Sequence, residues 1–216
     1  MDRFLLQAVI RRSPLTRWLA DVQDRFELRS WQSKSDQINA ARPGLLKRRE
    51  LLAALKRGNL SHFVETGTLL GDTTHVFATQ GCTVYSVEVE PRLAALARKR
   101  FAGKARVHIV EGDSGREMGN IIAKLAGAPA LFWLDGHYSG GATGRGELDT
   151  PIVKEVETIL KAAAPRSIVY IDDARCFGTE ADYPTLAGMK ELVERYGVTD
   201  MVVRDDIISF TVPARS

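Results

Sequence analysis

The sequence predicts an α/β fold in which a doubly wound, mostly parallel sheet of seven strands follows a helical N-terminal extension. Two observations predict it. From residue 61 onward, short runs rich in Val, Ile, Phe and Tyr alternate with longer helical stretches, which is typical of βαβ units. Near the C terminus, two strand candidates are separated only by residues 204–206, a spacing that allows a hairpin and excludes a parallel crossover.

Five parallel strand candidates and one antiparallel pair make up the predicted sheet. The parallel candidates all end in polar residues and are residues 62–66, 83–88, 106–110, 130–135 and 167–172. The antiparallel pair is predicted at residues 200–203 and 207–212. Helices are predicted over residues 91–101, where apolar residues recur at spacings of three and four, and over residues 152–160, which follow a proline.

The first 58 residues differ from the rest of the chain. Residues 15–26 and 45–55 have the pattern of amphipathic helices. Before residue 58 there are 13 Lys and Arg residues against 6 Asp and Glu residues. The predicted domain division is therefore a helical extension over residues 1–58 and an α/β domain over residues 59–216.

Composition excludes several classes of protein. The chain of 216 residues has 30 basic and 27 acidic side chains, a surplus too small to indicate nucleic-acid binding. Two cysteines far apart in sequence predict neither a disulfide scaffold nor a thiolate metal site, which makes a reducing cytoplasm the expected location. We predict no signal peptide, and no apolar run approaches the roughly 18 residues that a membrane span needs.

A glycine-containing turn follows the first predicted strand. Its sequence is Glu65-Thr66-Gly67-Thr68-Leu69-Leu70-Gly71, and a carboxylate, Glu88, ends the second strand. The spacing from Gly67 to Glu88 is close to the roughly 20 residues that separate the turn of a dinucleotide site from its ribose-binding acid. Leu69 stands where a dinucleotide turn has its second glycine, which a pyrophosphate needs for close approach. The pattern predicts a nucleoside ligand and disfavours NAD and FAD.

Three successive motifs carry a family resemblance. The turn with Glu65, Gly67 and Gly71, the segment over residues 86–91 and the segment over residues 111–114 resemble the nucleoside motifs of class I S-adenosylmethionine (SAM)-dependent methyltransferases. The resemblance covers roughly residues 60–212. It implies a Rossmann-like sheet and bound SAM.

The resemblance also implies which residues hold the cofactor. Glu65 and Gly67 would lie near the methionine moiety, Glu88 would bind the ribose hydroxyls, and Asp113 or Ser114 would meet the adenine. The full set of predicted cofactor contacts is Glu65, Thr66, Gly67, Thr68, Gly71, Thr73, Glu88, Asp113, Ser114 and Asp135. Considered one at a time, Gly67 and Gly71 need no ligand, because tight turns favour glycine. Glu88 alone needs none either, because a carboxylate at the end of a strand can simply face solvent.

Three aspartates follow the fourth and fifth predicted strands. Asp135 ends one of these strands, and Asp172 and Asp173 end the other. Adjacent carboxyl ends of a parallel sheet face the same crevice, so the three carboxylates are expected to converge and to favour a hard cation such as Mg²⁺. The pattern resembles the metal-dependent O-methyltransferases of the catechol and macrocin types. It implies magnesium-dependent methylation of a small-molecule hydroxyl, for example on a sugar or natural product; the alternative for Asp172 and Asp173 is helix capping.

His137 is the predicted general base, acting with Asp135, because its ordinary pKa is near 6.5 and it follows the first candidate ligand. The sequence departs here from the catechol enzymes, which have a lysine where this chain has Tyr138. A structural histidine is the alternative.

The glycine-dense residues 139–147 are predicted to form either a loop that closes over substrate or a passive linker. Arg145 in this segment and Arg175 after the fifth strand are candidate substrate contacts.

Partners follow from the same reasoning. We expect a small-molecule acceptor, no nucleic acid and no transmembrane segment. The N-terminal helices are expected to cap the cofactor or to form a homodimer contact, and an anionic surface is the third alternative. Two other functions stay open: a metal-independent methyltransferase of the same fold, and a non-catalytic SAM-binding or assembly module.

Overall fold

The structure, a computed structural model, describes residues 17–32, 43–135, 150–180 and 182–215. Its helices are α1 (Arg17–Gln32), α2 (Gly44–Arg57), α3 (Asp72–Thr79), α4 (Pro91–Arg100), α5 (Ser114–Lys124), α6 (Ile152–Ala162) and α7 (Leu186–Glu194), with one turn of 3₁₀ helix at Ala174–Cys176. Its strands are β1 (His62–Thr66), β2 (Thr83–Glu88), β3 (Val107–Glu111), β4 (Leu131–Leu134), β5 (Ile168–Ile171), β6 (Val202–Arg204) and β7 (Ile207–Thr211).

The strands form one seven-stranded sheet in the order β3-β2-β1-β4-β5-β7-β6. Strands β1 to β5 are parallel, and β7 pairs antiparallel with both β5 and β6. This confirms the predicted fold class. The order reverses between β1 and β4, and open α/β sheets bind ligands in the crevice at such a switch point.

The predicted strand bounds are close to the observed ones. β1 and β2 have the predicted bounds, whereas β3 lies one residue later than predicted. β4 and β5 are shorter than predicted at both ends. As a result Asp135 and Asp172 are the first residues beyond their strands, at the carboxyl edge of the sheet. Helix α4 begins at Pro91, where the side chain of Glu90 accepts a hydrogen bond from the Arg92 amide.

Both faces of the sheet are covered because the parallel strands place apolar side chains on each side. Val64 and Phe132 pack on the face covered by α5, α6 and α7. Phe63 and Trp133, one position away in each strand, pack on the opposite face with residues of α2 and α3. On that second face the rings of Phe63 and Phe77 are stacked with their centroids 3.6 Å apart.

Helix α2 is part of this core although it lies within the predicted N-terminal extension. Leu51 and Ala54 of α2 are completely buried, and they belong to the same apolar cluster as Phe63 and Phe77. Helix α1 contacts α2 and leaves Phe26 largely exposed. The division of the chain at residue 58 stays a prediction. Within the ranges given above, no helix is both long and apolar enough for a transmembrane span.

Candidate functional site

The turn after β1 has the conformation that its glycines predict. Gly67 and Gly71 have positive φ angles of 81° and 74°, and Leu69 between them has a φ of 49°. The amides of Gly67 and Thr68 both donate to the Val87 carbonyl of β2 at 3.0 Å. Gly71 caps the first turn of α3. Residues 67–71, which we name the cofactor loop after its predicted ligand, therefore form a strand-turn-helix connection that lies against the end of the neighbouring strand.

Gly71 is required by both backbone conformation and space. A Cβ atom at this position would lie 2.8 Å from Cε2 of Phe101, and φ is +74°. We expect Gly71→Ala to lower the free energy of unfolding by about 2 kcal/mol, since left-handed strain and overpacking each cost about 1 to 2 kcal/mol. Urea denaturation measures the change.

Gly103 provides the matched control for this substitution. Its φ is +80°, and a Cβ there would meet nothing within 4 Å. Gly103→Ala therefore introduces backbone strain without a steric clash. It should lower the free energy of unfolding by about 1 kcal/mol less than Gly71→Ala does. Equal losses of stability in the two variants would show that Phe101 does not restrict the loop.

Glu88 holds the cofactor loop. One of its carboxylate oxygens, Oε2, accepts from the Leu69 amide at 2.7 Å, and the other, Oε1, accepts from the Glu90 amide at 3.0 Å. The side chain is largely buried, and burial raises the pKa of this carboxyl. Sequence spacing predicts Glu88 as a ligand residue and gives no sign of its bond to Leu69. The structure thus places Glu88 at the loop, where it joins β2 to the residue that replaces the dinucleotide glycine.

Glu65 belongs to β1 and lies two residues before the loop. It accepts hydrogen bonds from the hydroxyls of Thr74 in α3 and Ser86 in β2. Burial is the largest influence on this carboxyl and raises its pKa to about 7, although the two hydroxyls oppose the shift. Glu65 therefore joins β1, β2 and α3, and its place beside the methionine moiety stays a prediction.

Asp113 and Ser114 begin helix α5 at the end of β3. The Asp113 carboxylate accepts from the Arg116 amide at 3.0 Å and so acts as the N-cap. Ser114 is largely buried. Thr66 connects β1 to β4, because its hydroxyl accepts from the Asp135 amide at 3.2 Å. These three residues lie at the carboxyl edge of the sheet, as predicted.

Glu155 is a residue of the site that sequence reasoning missed. It belongs to α6 and is completely buried, and its Oε1 has no hydrogen-bond partner among the described residues. Burial raises its pKa to about 7. The signal was present in the sequence, since Glu155 occupies an inward position of the helical pattern formed by Ile152, Val156 and Ile159.

A cavity of about 310 Å³ lies between α2, the cofactor loop and the end of β4. Of the predicted cofactor contacts, those that line it are Gly67, Thr68, Thr73 and Asp135. The predicted contacts outside that lining are Glu65, Thr66, Gly71, Glu88, Asp113 and Ser114. Helix α2 contributes Gly44, Lys47, Arg48 and Leu51 to the wall. The cavity therefore joins the loop to the aspartates, and α2 covers it.

The three predicted metal-binding aspartates do converge. Carboxylate oxygens of Asp135, Asp172 and Asp173 all lie within 4.8 Å of one another. Asp172 and Asp173 are almost completely buried. Burial raises the pKa of Asp172, and the charge of Asp135 adds to that shift. We call these three residues the carboxylate cluster.

Two cations contact the carboxylate cluster. The Lys47 ammonium of α2 lies 2.5 Å from Oδ2 of Asp172 and 3.8 Å from Oδ1 of Asp173. The Arg175 guanidinium lies 2.5 Å from Oδ1 of Asp173 and also pairs with Asp206. Arg175, predicted to contact substrate, is thus engaged with two aspartates. Lys47 was not predicted from sequence.

Several predictions fall outside the described residues. They concern the predicted base His137, the neighbouring Tyr138, the glycine-dense residues 139–147 and Arg145. Asp135, the predicted partner of His137, is described and lines the cavity.

Solved structures of other proteins share the fold of this chain. The chain is similar to the O-methyltransferase TomG from Streptomyces achromogenes, involved in tomaymycin synthesis and solved in complex with SAM, at 17% identity and a TM-score of 0.57, covering 99% of this chain and 91% of that one. It is also similar to the MycE methyltransferase from the mycinamycin biosynthetic pathway, solved with Mg and S-adenosylhomocysteine (SAH), at 11% identity and a TM-score of 0.55, covering 76% of this chain and 49% of that one.

Sequence comparison adds a shorter match. The chain is 34% identical over 84 residues to a ribosomal RNA small subunit methyltransferase A from Synechococcus sp. (strain JA-2-3B'a(2-13)), which is 31% of this chain. The match spans 30% of that relative's length. No family model matches the chain. The chain has the class I methyltransferase fold, as the resemblance of its motifs implies.

Proposed function

We propose that the chain is a SAM-dependent methyltransferase that transfers a methyl group to an oxygen of a small molecule, such as a hydroxyl of a sugar or natural product. The observation that carries the proposal is the continuous cavity with the cofactor loop at one side and the carboxylate cluster at the other. A nucleoside-binding turn beside a polar acceptor site is the arrangement that group transfer requires. The SAM-bound TomG structure and the SAH-bound MycE structure support it.

The cofactor is proposed to lie over residues 67–71. Residues 67–70 line the cavity, and glycine at residue 67 leaves that part of the wall without a side chain. Glu88 would bind the ribose hydroxyls with the lone pairs that the Leu69 and Glu90 amides leave open. Asp113 or Ser114 would meet the adenine. Glu65 would hold the loop in place indirectly, by accepting hydrogen bonds from Thr74 and Ser86.

Transfer would occur by in-line displacement at the SAM sulfonium. The protein contributes mainly position, because holding the acceptor oxygen against the methyl carbon replaces a bimolecular encounter. Asp135 lines the cavity and would orient the acceptor hydroxyl by accepting its hydrogen bond. His137, two residues later, stays the predicted base that takes the hydroxyl proton.

Magnesium is the predicted second cofactor. When bound, the ion would polarise the acceptor oxygen. Three converging carboxylates are the donor type that it prefers, and the MycE structure with Mg supports the prediction. The cluster as observed does not fit the ion, because Lys47 and Arg175 already contact Asp172 and Asp173 at 2.5 Å. No step of the proposed reaction therefore passes through a metal.

A methyl-transfer assay tests the proposed function. Purified chain is incubated with methyl-labelled SAM and a panel of sugar, phenolic and natural-product hydroxyls, with ribosomal RNA as a separate acceptor because of the rRNA methyltransferase match. We expect transfer to a small-molecule hydroxyl, and a loss of about 100-fold or more in kcat for Asp135→Asn. Transfer to RNA alone would contradict the proposal. SAH binding without transfer to any acceptor would favour a non-catalytic module.

A further inference from the structure

Lys47 is placed at the carboxylate cluster by the packing of its helix. It lies four residues before Leu51, and residues four apart occupy the same face of a helix. Leu51 is completely buried in the core beneath α2, so that face points toward the sheet. The Lys47 side chain therefore reaches the carboxyl edge of the sheet from a rigid element, and only 14% of it is exposed.

The charges at this site are partly balanced by side chains of the chain itself. The cluster carries three carboxylates, and Lys47 and Arg175 bring two positive charges to it, although Arg175 also pairs with Asp206. A lysine buried without a carboxylate partner is costly, and so is a buried carboxylate without a cation. The side chains of Asp172 and Asp173 are 2% and 5% exposed. The ammonium and the carboxylates thus stabilise each other out of water.

We propose that Lys47 is the built-in cation of the carboxylate cluster, standing where a divalent metal would bind, so that the chain acts at this cluster without a metal ion. Exclusion of the metal follows from the ion pairs alone, whereas action without a metal rests on the proposed methyl transfer.

The two kinds of cation exclude each other. Mg²⁺ requires oxygen ligands at about 2.0 to 2.1 Å in near-octahedral geometry. The Lys47 ammonium, 2.5 Å from one Asp172 oxygen and 3.8 Å from an Asp173 oxygen, occupies the space in which such an ion would share those two carboxylates. An ion entering there would have to displace an ammonium that repels it, in surroundings where charge interactions are poorly screened.

The exchange of an ion for a lysine also changes the expected acceptor. A bound metal selects substrates that chelate it through two oxygens. The Lys47 ammonium has three N–H donors and no coordination sites, and its contacts with Asp172 and Asp173 leave about one donor for a substrate oxygen. Lys47 and Asp135 both line the cavity, one as a donor and the other as an acceptor. The expected acceptor is therefore an isolated hydroxyl rather than a catechol or vicinal diol.

The proposal is tested by Mn²⁺ binding to the full chain, measured by electron paramagnetic resonance of the free ion. For the wild-type chain we expect no saturable binding below about 1 mM, the weak end of metal sites in proteins. For Lys47→Met we expect Mn²⁺ binding at least about 10-fold tighter, because the repelling charge is removed from the carboxylates. Adding Asp172→Asn to Lys47→Met should remove the gain.

Two further variants keep the result specific. Lys56→Met removes an exposed lysine of the same helix, and Lys47→Arg keeps the charge at the cluster. Both should bind Mn²⁺ as weakly as the wild type. Tight Mn²⁺ binding by the wild type that Asp172→Asn abolishes would overturn the proposal, whether or not Lys47→Met folds. So would a folded Lys47→Met variant with no gain in affinity. A parallel SAH titration reports on the proposed function separately, since it does not depend on the metal result.

Discussion

Glu88→Ala is expected to weaken SAH binding by about 100-fold or more. The carboxylate is a hydrogen-bond acceptor for the Leu69 amide at 2.7 Å, and we propose that it also binds the ribose hydroxyls. Hydrogen bonds to charged groups contribute about 1.5 to 3 kcal/mol each, and 2.7 kcal/mol corresponds to about 100-fold in affinity. Isothermal titration calorimetry of the wild-type and variant chains with SAH measures the ratio.

Glu111→Ala is the matched control for that substitution. Glu111 pairs in register with Glu88 on the neighbouring strand β3, but its side chain is more exposed and pairs with Arg98. Its replacement removes the same charge from the same edge of the sheet and should change SAH affinity by less than about 2-fold, since exposed ion pairs contribute little. If Glu88→Ala binds SAH as tightly as the wild type does, Glu88 does not bind the ribose, and its hydrogen bond to the Leu69 amide does not matter for binding.

The free energy of unfolding is expected to fall as the pH rises from about 4.5 to 7. Glu65 and Glu155 are completely buried, and burial raises the pKa of each from 4.5 to about 7. Across this interval the unfolded chain loses these protons first, so the folded state binds more protons and loses stability. Each carboxyl accounts for about 3 kcal/mol, since one pKa unit is about 1.4 kcal/mol.

Glu65→Gln isolates one of these contributions. The amide oxygen of glutamine can still accept from Thr74 and Ser86, and the side chain no longer titrates. In urea unfolding at pH 5 and pH 7.5, the loss of stability should be smaller by about 2 kcal/mol in Glu65→Gln than in the wild type, because part of the full loss has already occurred by pH 5. Glu111→Gln, at an exposed position, should show the wild-type loss. An unchanged loss in Glu65→Gln would mean that Glu65 ionises as readily in the folded chain as in the unfolded one.

The sheet was predictable because its signals are local. Strands β1 and β2 end where buried apolar runs meet Thr66 and Glu88, and the predicted bounds are the observed ones. The hairpin of β6 and β7 follows from the three residues between its predicted strands. The convergence of Asp135 and Asp172 follows from the parallel arrangement of β4 and β5, which brings their carboxyl ends together.

The role of α2 was not predictable in the same way. The pattern of residues 45–55 predicts an apolar stripe but does not indicate what covers it. Only the folded chain brings Lys47 to Asp172, a separation of 125 residues in sequence. The sequence therefore predicts the three carboxylates and gives no sign that Lys47 lies beside them.

Glu65 shows a second limit of sequence reasoning. Its place in the motif implies a position near the cofactor, and it does lie at the end of β1. The direction of its side chain depends on the hydroxyls of Thr74 and Ser86, which reach it from a helix and from the next strand. The motif predicts where Glu65 lies along the backbone, whereas its hydrogen-bond partners become known only from the folded chain.

Calorimetric titration of the wild-type chain with SAH and, separately, with NAD tests whether the loop from Gly67 to Gly71 binds SAM. We expect saturable binding of one SAH per chain and no binding of NAD, because Leu69 stands where a pyrophosphate would need glycine. Binding of NAD together with no binding of SAH would contradict it.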